Sequence, residues 1–474
     1  MMFILVLFVF IFVFVAEFSF AESSNNRINS GSSVYKNTKQ SNKNNFKALL
    51  ELEIKALSYA EASNVDNNFQ QQIQLELNLK KTGSFFNKTN LILGTFSQEN
   101  SFYYALPEAY VGFGSAASGV TVGRKTESLS FADAFFNLGI IQAYSTNDNI
   151  NFIMGGLTGI SGQISNANFG VIGTYMPIFI PNQGPQIKIE NGQVLTSNRW
   201  APQPPSKFKF GSEYSNINYA IRDYKMIELI SNSGFMLNVF AGKNKTRPVF
   251  LATIAKKPIN EIAFSRDTYS NISNFEGYVL LTPEVLMHEL QAVDLNLDYE
   301  NLKTSFSFLS DQPENKVALD LETIQTLNPL SIYSFFISLD LSANVGRKFE
   351  VYSAMAVVSG GEIKDLNSAK KESATAVATS RTQFKRPIRF GVKNDLFYVT
   401  SQAVEADLNM TYDQVLKGSL LSAQIKYAPI KNLHVSLGAD IIGVENELPE
   451  NSQGNFLDQN QANDRFFAGV NYVF

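Results

Sequence analysis

The chain has 474 residues, no cysteine and a formal net charge of −4. The missing thiols exclude disulfides, thiolate metal sites, cysteine nucleophiles and a lipidated N-terminal cysteine, and leave His288 and His434 as the only imidazoles. The acidic balance offers no cationic surplus to neutralise phosphates, which excludes a nucleic-acid partner.

The first element is apolar. Phe3 to Ala16 is a 14-residue apolar run, too short to cross a bilayer as a helix and of the right length for a signal-peptide core. Ser19 and Ala21 supply small residues at −3 and −1, so cleavage is expected after Ala21, giving a signal peptide over residues 1–21. No Lys or Arg precedes the run, the first being Arg27, and a retained anchor is the alternative. Residues 22–46 are Asn/Ser-rich without period and read as a disordered periplasmic leader.

From residue 47 onward no helical stripe is sustained; two-residue alternation recurs instead. Leu50, Leu52, Ile54 and Ala56 oppose Glu51, Glu53 and Lys55. Ile73, Leu75, Leu77 and Leu79 oppose Gln74, Glu76, Asn78 and Lys80. Further on, Val293, Leu295, Leu297 and Tyr299 oppose Asp294, Asn296, Asp298 and Glu300, and Leu408 and Met410 oppose Asp407 and Asn409. The segments read as strands are 47–57, 69–80, 85–97, 102–113, 119–125, 150–158, 168–180, 206–214, 217–224, 234–242, 275–284, 289–299, 302–310, 331–342, 347–358, 385–393, 397–412, 416–428, 431–442 and 464–474.

So many one-sided strands, behind a signal peptide, fit a sheet with lipid on one face and water on the other. In a bilayer no sheet edge can stay unpaired, so such a sheet must close. The expected fold is all-β: a transmembrane antiparallel barrel over residues 47–474 with about 18 strands, within roughly 16 to 22. Both ends lie at the periplasmic face, with short periplasmic turns and long extracellular loops. Tight turns are expected at 429–430, Asn394–Asp395, Ala343–Gly346 and Glu300–Asn301; long loops at 311–330, 359–384 and 444–463. The two later loops, 359–384 and the acidic one with Glu445, Glu447, Glu450 and Asp458, read as solvated, mobile surface. Partners are outer-membrane lipid and no cofactor; a homotrimer is one arrangement open to such barrels.

The last strand alternates Phe466, Ala468, Val470, Tyr472 and Phe474 on one face. It resembles the C-terminal signal of bacterial outer-membrane β-barrels, which implies that the barrel-assembly machinery recognises it. Glu108 to Lys125 (EAYVGFGSAASGVTVGRK) resembles an early hairpin of large general, phosphate-selective or alginate-export porins: Ala109-Tyr110-Val111 and Gly123-Arg124 match, while Lys125 stands where Gln is usual. The resemblance implies an outer-membrane porin and says nothing of its solute.

Barrels this wide keep an aqueous lumen unless chain folds into it. The stretch 180–207, rich in proline and carrying the single tryptophan, Trp200, is stiff and unsuited to strand pairing; it is expected to narrow the pore or to cap its outer rim. Taking the polar face of each dyad as lumenal, the pore lining is Glu51, Glu53, Glu76, Asp294, Asp298, Asp340, Glu405 and Asp407 with Lys55, Lys80, Lys125, Arg389, Lys393 and Lys426. These mixed signs point to passive diffusion of small polar solutes with weak selectivity and not to a basic anion pore. The alternative is a surface-exposed barrel acting as a specific transporter, receptor or adhesion scaffold. An enzyme is not expected. His434 and Ser436 share a strand face, as in the outer-membrane phospholipase A family, but Leu433, Val435 and Leu437 put them in the lumen, where that family's pair faces lipid. His288 reads as a rim side chain, and the glycines of Met154 to Gly162 as a flexible turn or a closely packed strand, with no Lys-Ser/Thr after them to make a phosphate loop.

Overall fold

The computed structural model describes residues 45–61, 68–96, 101–115, 117–196, 198–201, 204–210, 212–242, 247–271, 276–315, 323–342, 346–367, 379–445 and 455–474. The signal peptide and all but the end of the leader lie outside the described residues. So do 368–378 and 446–454 of the two later loops.

Eighteen antiparallel strands form one closed ring. In chain order they are β1 (Asn45–Tyr59), β2 (Phe69–Thr82), β3 (Phe85–Phe96), β4 (Ser101–Gly114), β5 (Ser118–Lys125), β6 (Leu157–Ser165), β7 (Phe169–Met176), β8 (Gly234–Ala241) and β9 (Phe250–Pro258). The second half is β10 (Met287–Tyr299), β11 (Leu302–Pro313), β12 (Leu330–Asp340), β13 (Phe349–Gly360), β14 (Pro387–Val399), β15 (Gln402–Asp413), β16 (Gly418–Ile430), β17 (Leu433–Val444) and β18 (Arg465–Val473). Each strand pairs with its sequence neighbours, and β1 closes the ring on β18 with Leu52 opposite Tyr472 and Ile54 opposite Val470. Closure leaves no edge, so every strand satisfies its backbone laterally, as hydrocarbon requires. Among the described residues no helix is long and apolar enough to cross a membrane; the strands do so.

The register carries the alternation from strand to strand. Leu52, Leu75 and Leu93 are mutual neighbours, as are Glu51 and Glu76 on the other face. The outward set is apolar and exposed: Ile54, Phe306, Leu408, Phe466, Val470 and Phe474 among others. This is the lipid face, and the rings of Tyr472 and Phe474 lie 4.7 Å apart on it.

Connections alternate with the expected parity. Two-residue links at 83–84, 300–301, 400–401 and 431–432 lie at the end that holds Phe474, and the long connections lie opposite. The turn expected at Asn394–Asp395 is instead inside β14, where the β14–β15 register shifts between Asp395 and Phe397. The chain reverses at Thr400 and Ser401, whose φ values of 47° and 65° place two non-glycine residues in the left-handed region. Neither residue is a usual marker for such a turn, which is why pattern reading stopped early.

Three segments read as barrel strands lie elsewhere. Lys207–Phe210, Glu213–Ile221 and Glu276–Glu284 join Ala263–Asn271, Thr323–Leu327, Glu362–Asn367 and Thr379–Ser380 in a separate seven-stranded sheet built from the outer loops. Their alternation is genuine, but it packs loop on loop. The segment expected at 150–158 begins its barrel strand only at Leu157.

Candidate functional site: a strap across the lumen

The connection 126–156 between β5 and β6 enters the barrel and tours its inner wall. Phe131–Phe135 forms a short helix, α1. The Ser130 side chain does not cap it; the Phe131 N–H instead donates to Asp294 Oδ2 of β10 at 2.6 Å. A barrel carboxylate thus satisfies an otherwise orphaned helix N–H. Thr253 of β9 donates to the Leu129 carbonyl at 2.8 Å, and Asn260 donates to the carbonyls of Gly139 and Ile140 at 2.7 and 3.1 Å. At the far end of α1, Arg389 of β14 donates to the Phe135 carbonyl at 2.8 Å and lies over its ring.

Apolar packing completes this anchor. Leu129, Phe136, Ile140 and Ile141 form one cluster with the lumenal side chains Met236, Ala255, Leu290, Leu309, Ile332 and Ala354 of β8 to β13. Phe131 and Phe135 meet Phe336 at ring distances of 5.0 and 5.1 Å. Burying each such side chain is worth about 1.5–3 kcal/mol. The inner wall of β8–β13 is therefore apolar where the strap's side chains pack on it, with polar residues such as Thr253 and Asp294 holding the strap's backbone.

Asp133, on the buried side of α1, accepts from the Ile140 and Ile141 N–H groups at 2.9 and 3.2 Å and so closes the turn after the helix. Burial pushes its carboxyl up to about 6, against those hydrogen bonds. Burial also raises the Tyr144 phenol, and the nearby Asp133 adds to the effect.

The strap is fastened a second time on the opposite wall. Asp148 meets Arg465 of β18 at 2.8 Å, and Arg465 also donates from Nε to Asp440 of β17 at 2.8 Å. Burial opposes ionisation of Asp148, but the Arg465 charge overrides it and holds this carboxyl below the usual range. Ile150 packs into a cluster of Trp200, Phe384, Leu420, Ile442 and Leu457.

Trp200 therefore lies inside the outer mouth, with Arg465 over its ring at 5.6 Å. Its neighbour Arg199 stacks on Tyr59 of β1 at 3.8 Å and donates to Asn463 at 2.9 Å. Of the stretch 180–207, expected to narrow the pore or to cap its rim, residues 198–201 lie over the strap, where Asn149 donates to the Trp200 carbonyl at 3.3 Å. The described parts of the two later loops are not free surface either. Arg381 is buried on Asp311 at 2.6 Å, and Leu457 is fully buried.

Between the strap and the wall β14–β18 lies a cavity of about 160 Å³. Phe136, Asn137 and Asn151 bound it on the strap side; Arg389, Asp407, Asn409, Ser422, Gln424 and Asp440 bound it on the wall. Of the sequence-predicted lining, Arg389 and Asp407 reach this cavity, with Lys393 at 4.0 Å from Asp407. Asp294 faces inward but is covered by α1. Glu51 and Glu76 sit side by side on β1 and β2, with Lys80 farther along β2 opposite Lys47. Glu53 pairs with Lys55 at 3.0 Å and Lys125 with Glu127 at 2.6 Å. Asp298 meets Arg247 at 3.0 Å, Asp340 accepts from the Ser342 N–H at 2.9 Å, and Lys426 stands opposite Glu405.

His288 is not a rim residue. It is fully buried, with Nδ1 2.9 Å from Asp311. His434 and Ser436 face the lumen, opposite Asn471 and Gly469 of β18, and share no hydrogen bond among the described residues. Sequence reading missed Asp133, Asp148, Asp440 and Arg465. A signal existed only for Arg465 and Asp440, which stand on the lumenal parity of dyad strands.

A closed 18-stranded antiparallel barrel with an apolar outer band, short turns at one end and chain folded into the lumen from the other is a porin-like β-barrel. No protein-family model and no curated protein matches the chain. Among solved structures it is similar to Pseudomonas aeruginosa OccK2 (OpdF), at 10% identity over 90% of this chain and 97% of that one, with a TM-score of 0.47. OccK2 has also been solved in complex with glucuronate. Acinetobacter baumannii OccAB3 is similar at 9% identity, 90% and 99% coverage and a TM-score of 0.46.

Proposed function

We propose that the chain is an outer-membrane diffusion channel for small polar solutes, weakly selective, delivered across the inner membrane by cleavage of residues 1–21. The observation that carries this reading is the strap: it packs on the inner face of β8–β13 and leaves a cavity with Asn409, Ser422 and Gln424 on its wall against β14–β18. A barrel serving only as scaffold has no need of a doubly fastened internal segment beside a polar cavity. Mixed charge signs on the lumenal face argue for weak selectivity. Phe466, Val470, Tyr472 and Phe474 on the outward face of β18 are proposed as the segment presented to the barrel-assembly machinery, a role that Phe474→Ala should weaken by lowering the yield of inserted barrel.

The test is single-channel recording in a planar bilayer under a salt gradient. Steady conductance steps with a small reversal potential are expected. A folded, heat-modifiable barrel without steps overturns the reading. One observation favours the surface-receptor alternative: the outer sheet presents Tyr269 and Tyr278 stacked at 5.2 Å beside Asn218 and Glu276. Binding to whole cells that survives loss of conductance and disappears in a Tyr269→Ala, Tyr278→Ala variant would support that alternative.

A further inference from the structure

The passage between strap and wall carries a specific chemistry. Arg389, Asp407 and Asp440 line it, and behind them Lys393 stands near Asp407 and Arg465 joins Asp440 to Asp148. Arg465 is held between Asp148 and Asp440 at 2.8 Å from each. Arg389 spends its donors on the Phe135 carbonyl and on Thr411 Oγ1 at 2.8 and 3.1 Å. Lys393 stands at 4.0 Å from Asp407 and 6.0 Å from the Tyr352 ring centroid. These six charges sum to zero, and all have an opposite charge or a hydrogen-bond partner in the protein, although Asp407 Oδ1 accepts no hydrogen bond among the described residues.

The uncharged groups are arranged differently. Asn137 on the strap and Asn409, Ser422 and Gln424 on the wall line the cavity. None of these four side chains has a hydrogen-bond partner among the described residues. Asn409 stands directly opposite Ser422, and Gln424 stands opposite Asp407, so three of them form a continuous patch across β15 and β16. Amides and hydroxyls each carry both a donor and an acceptor.

We propose that this passage selects uncharged, polyhydroxylated solutes of monosaccharide size over carboxylates and ammonium ions of equal size. The proposal rests on the diffusion-channel reading. An ion entering the cavity gives up hydration and meets charges that already have counter-charges, so it gains no net potential in return. A sugar or hexitol hydroxyl exchanges water for amides that can both donate to it and accept from it. The cavity volume of about 160 Å³ suits one small solute, since pockets for drug-sized ligands run from about 300 to 1,000 Å³.

The experiment is osmotic swelling of vesicles holding the full-length refolded protein, with mannitol, glucuronate and glucosamine in its ammonium form as probes. Mannitol should enter at least about fivefold faster than either charged sugar, and Asn409→Leu should slow mannitol about fivefold, the equivalent of one lost hydrogen bond. Asp407→Asn, which leaves Arg389 and Lys393 in excess, should raise glucuronate entry relative to mannitol. Each variant is first checked for the unheated barrel band and for unchanged Trp200 fluorescence. Glucuronate or glucosamine entering as fast as mannitol overturns the proposal while leaving the channel intact. Conductance in potassium chloride with mannitol excluded does the same. Absence of both swelling and conductance overturns the channel reading itself and this proposal with it.

Discussion

The two inner walls of this barrel obey different rules. On β14–β18 Asn409, Ser422 and Gln424 line the cavity, while Thr411 and Asp440 are buried on Arg389 and Arg465, and Leu420 and Ile442 pack under Trp200. On β8–β13 the lumenal row carries Met236, Ala255, Leu290, Leu309, Ile332 and Ala354. One wall borders a cavity and the other is the floor of a packed core. In a membrane barrel, an inward apolar residue marks where a loop has folded back, just as an outward one marks lipid. The difference also bears on the proposed route, since the cavity lies beside the wall that carries Asn409, Ser422 and Gln424.

Breaking the polar-wall fastening should have the largest effect. Arg465→Ala removes the cation held between two buried carboxylates and should cost about 3–5 kcal/mol, because Asp148 and Asp440 are left uncompensated. Urea titration in detergent, followed through Trp200, reports it directly, since Arg465 lies over that ring. On the covered wall, Leu309→Ala should cost roughly 2–5 kcal/mol by opening a cavity under the strap. Ser422→Ala on the polar wall should stay within about 0.5 kcal/mol. Equal costs at these two positions would erase the distinction between the walls.

The strap also gives the covered wall a pH response. Burial raises the Asp133 carboxyl from its ordinary 3.8 to about 6. Between those two values the folded state binds more protons than the unfolded state, so stability falls as pH rises through that window and is flat on either side. The total change is up to about 3 kcal/mol, at about 1.4 kcal/mol per unit. Asp133→Asn should remove this component from the pH dependence of the urea midpoint, whereas an unchanged slope would place the titrating group elsewhere. A smaller gain is expected at the turn: Ser401→Gly should stabilise by about 1 kcal/mol, because φ of 65° is strained for any residue with a Cβ. A destabilised Ser401→Gly protein would show that the serine side chain matters more than its backbone.

The fold was legible because lipid imposes a two-residue period that survives to the last residue. Ile54, Leu408, Val470 and Phe474 announce the outer face without help from neighbours. The strand number was legible within its range, but three alternating segments, such as Glu276–Glu284, belong to the loop sheet. Alternation reports one apolar face without saying whether lipid or protein covers it. The strap was not legible. Its anchors, Asp133 and Asp148, lie in a stretch without period, and their partners Ile140 and Arg465 are set by tertiary contact. Trp200, in the stretch expected to narrow the pore or to cap its rim, lies beside the strap that pattern reading did not find.

The most direct test of this account uses the absence of cysteine from the chain. Asn409→Cys and Ala292→Cys place one thiol on each inner wall, and a charged methanethiosulfonate reagent is added during single-channel recording. A stepwise loss of current is expected for Asn409→Cys and no change for Ala292→Cys, which lies beneath the strap. Block at Ala292→Cys with free passage past Asn409→Cys would contradict it, because solute would then run along the wall assigned to the core.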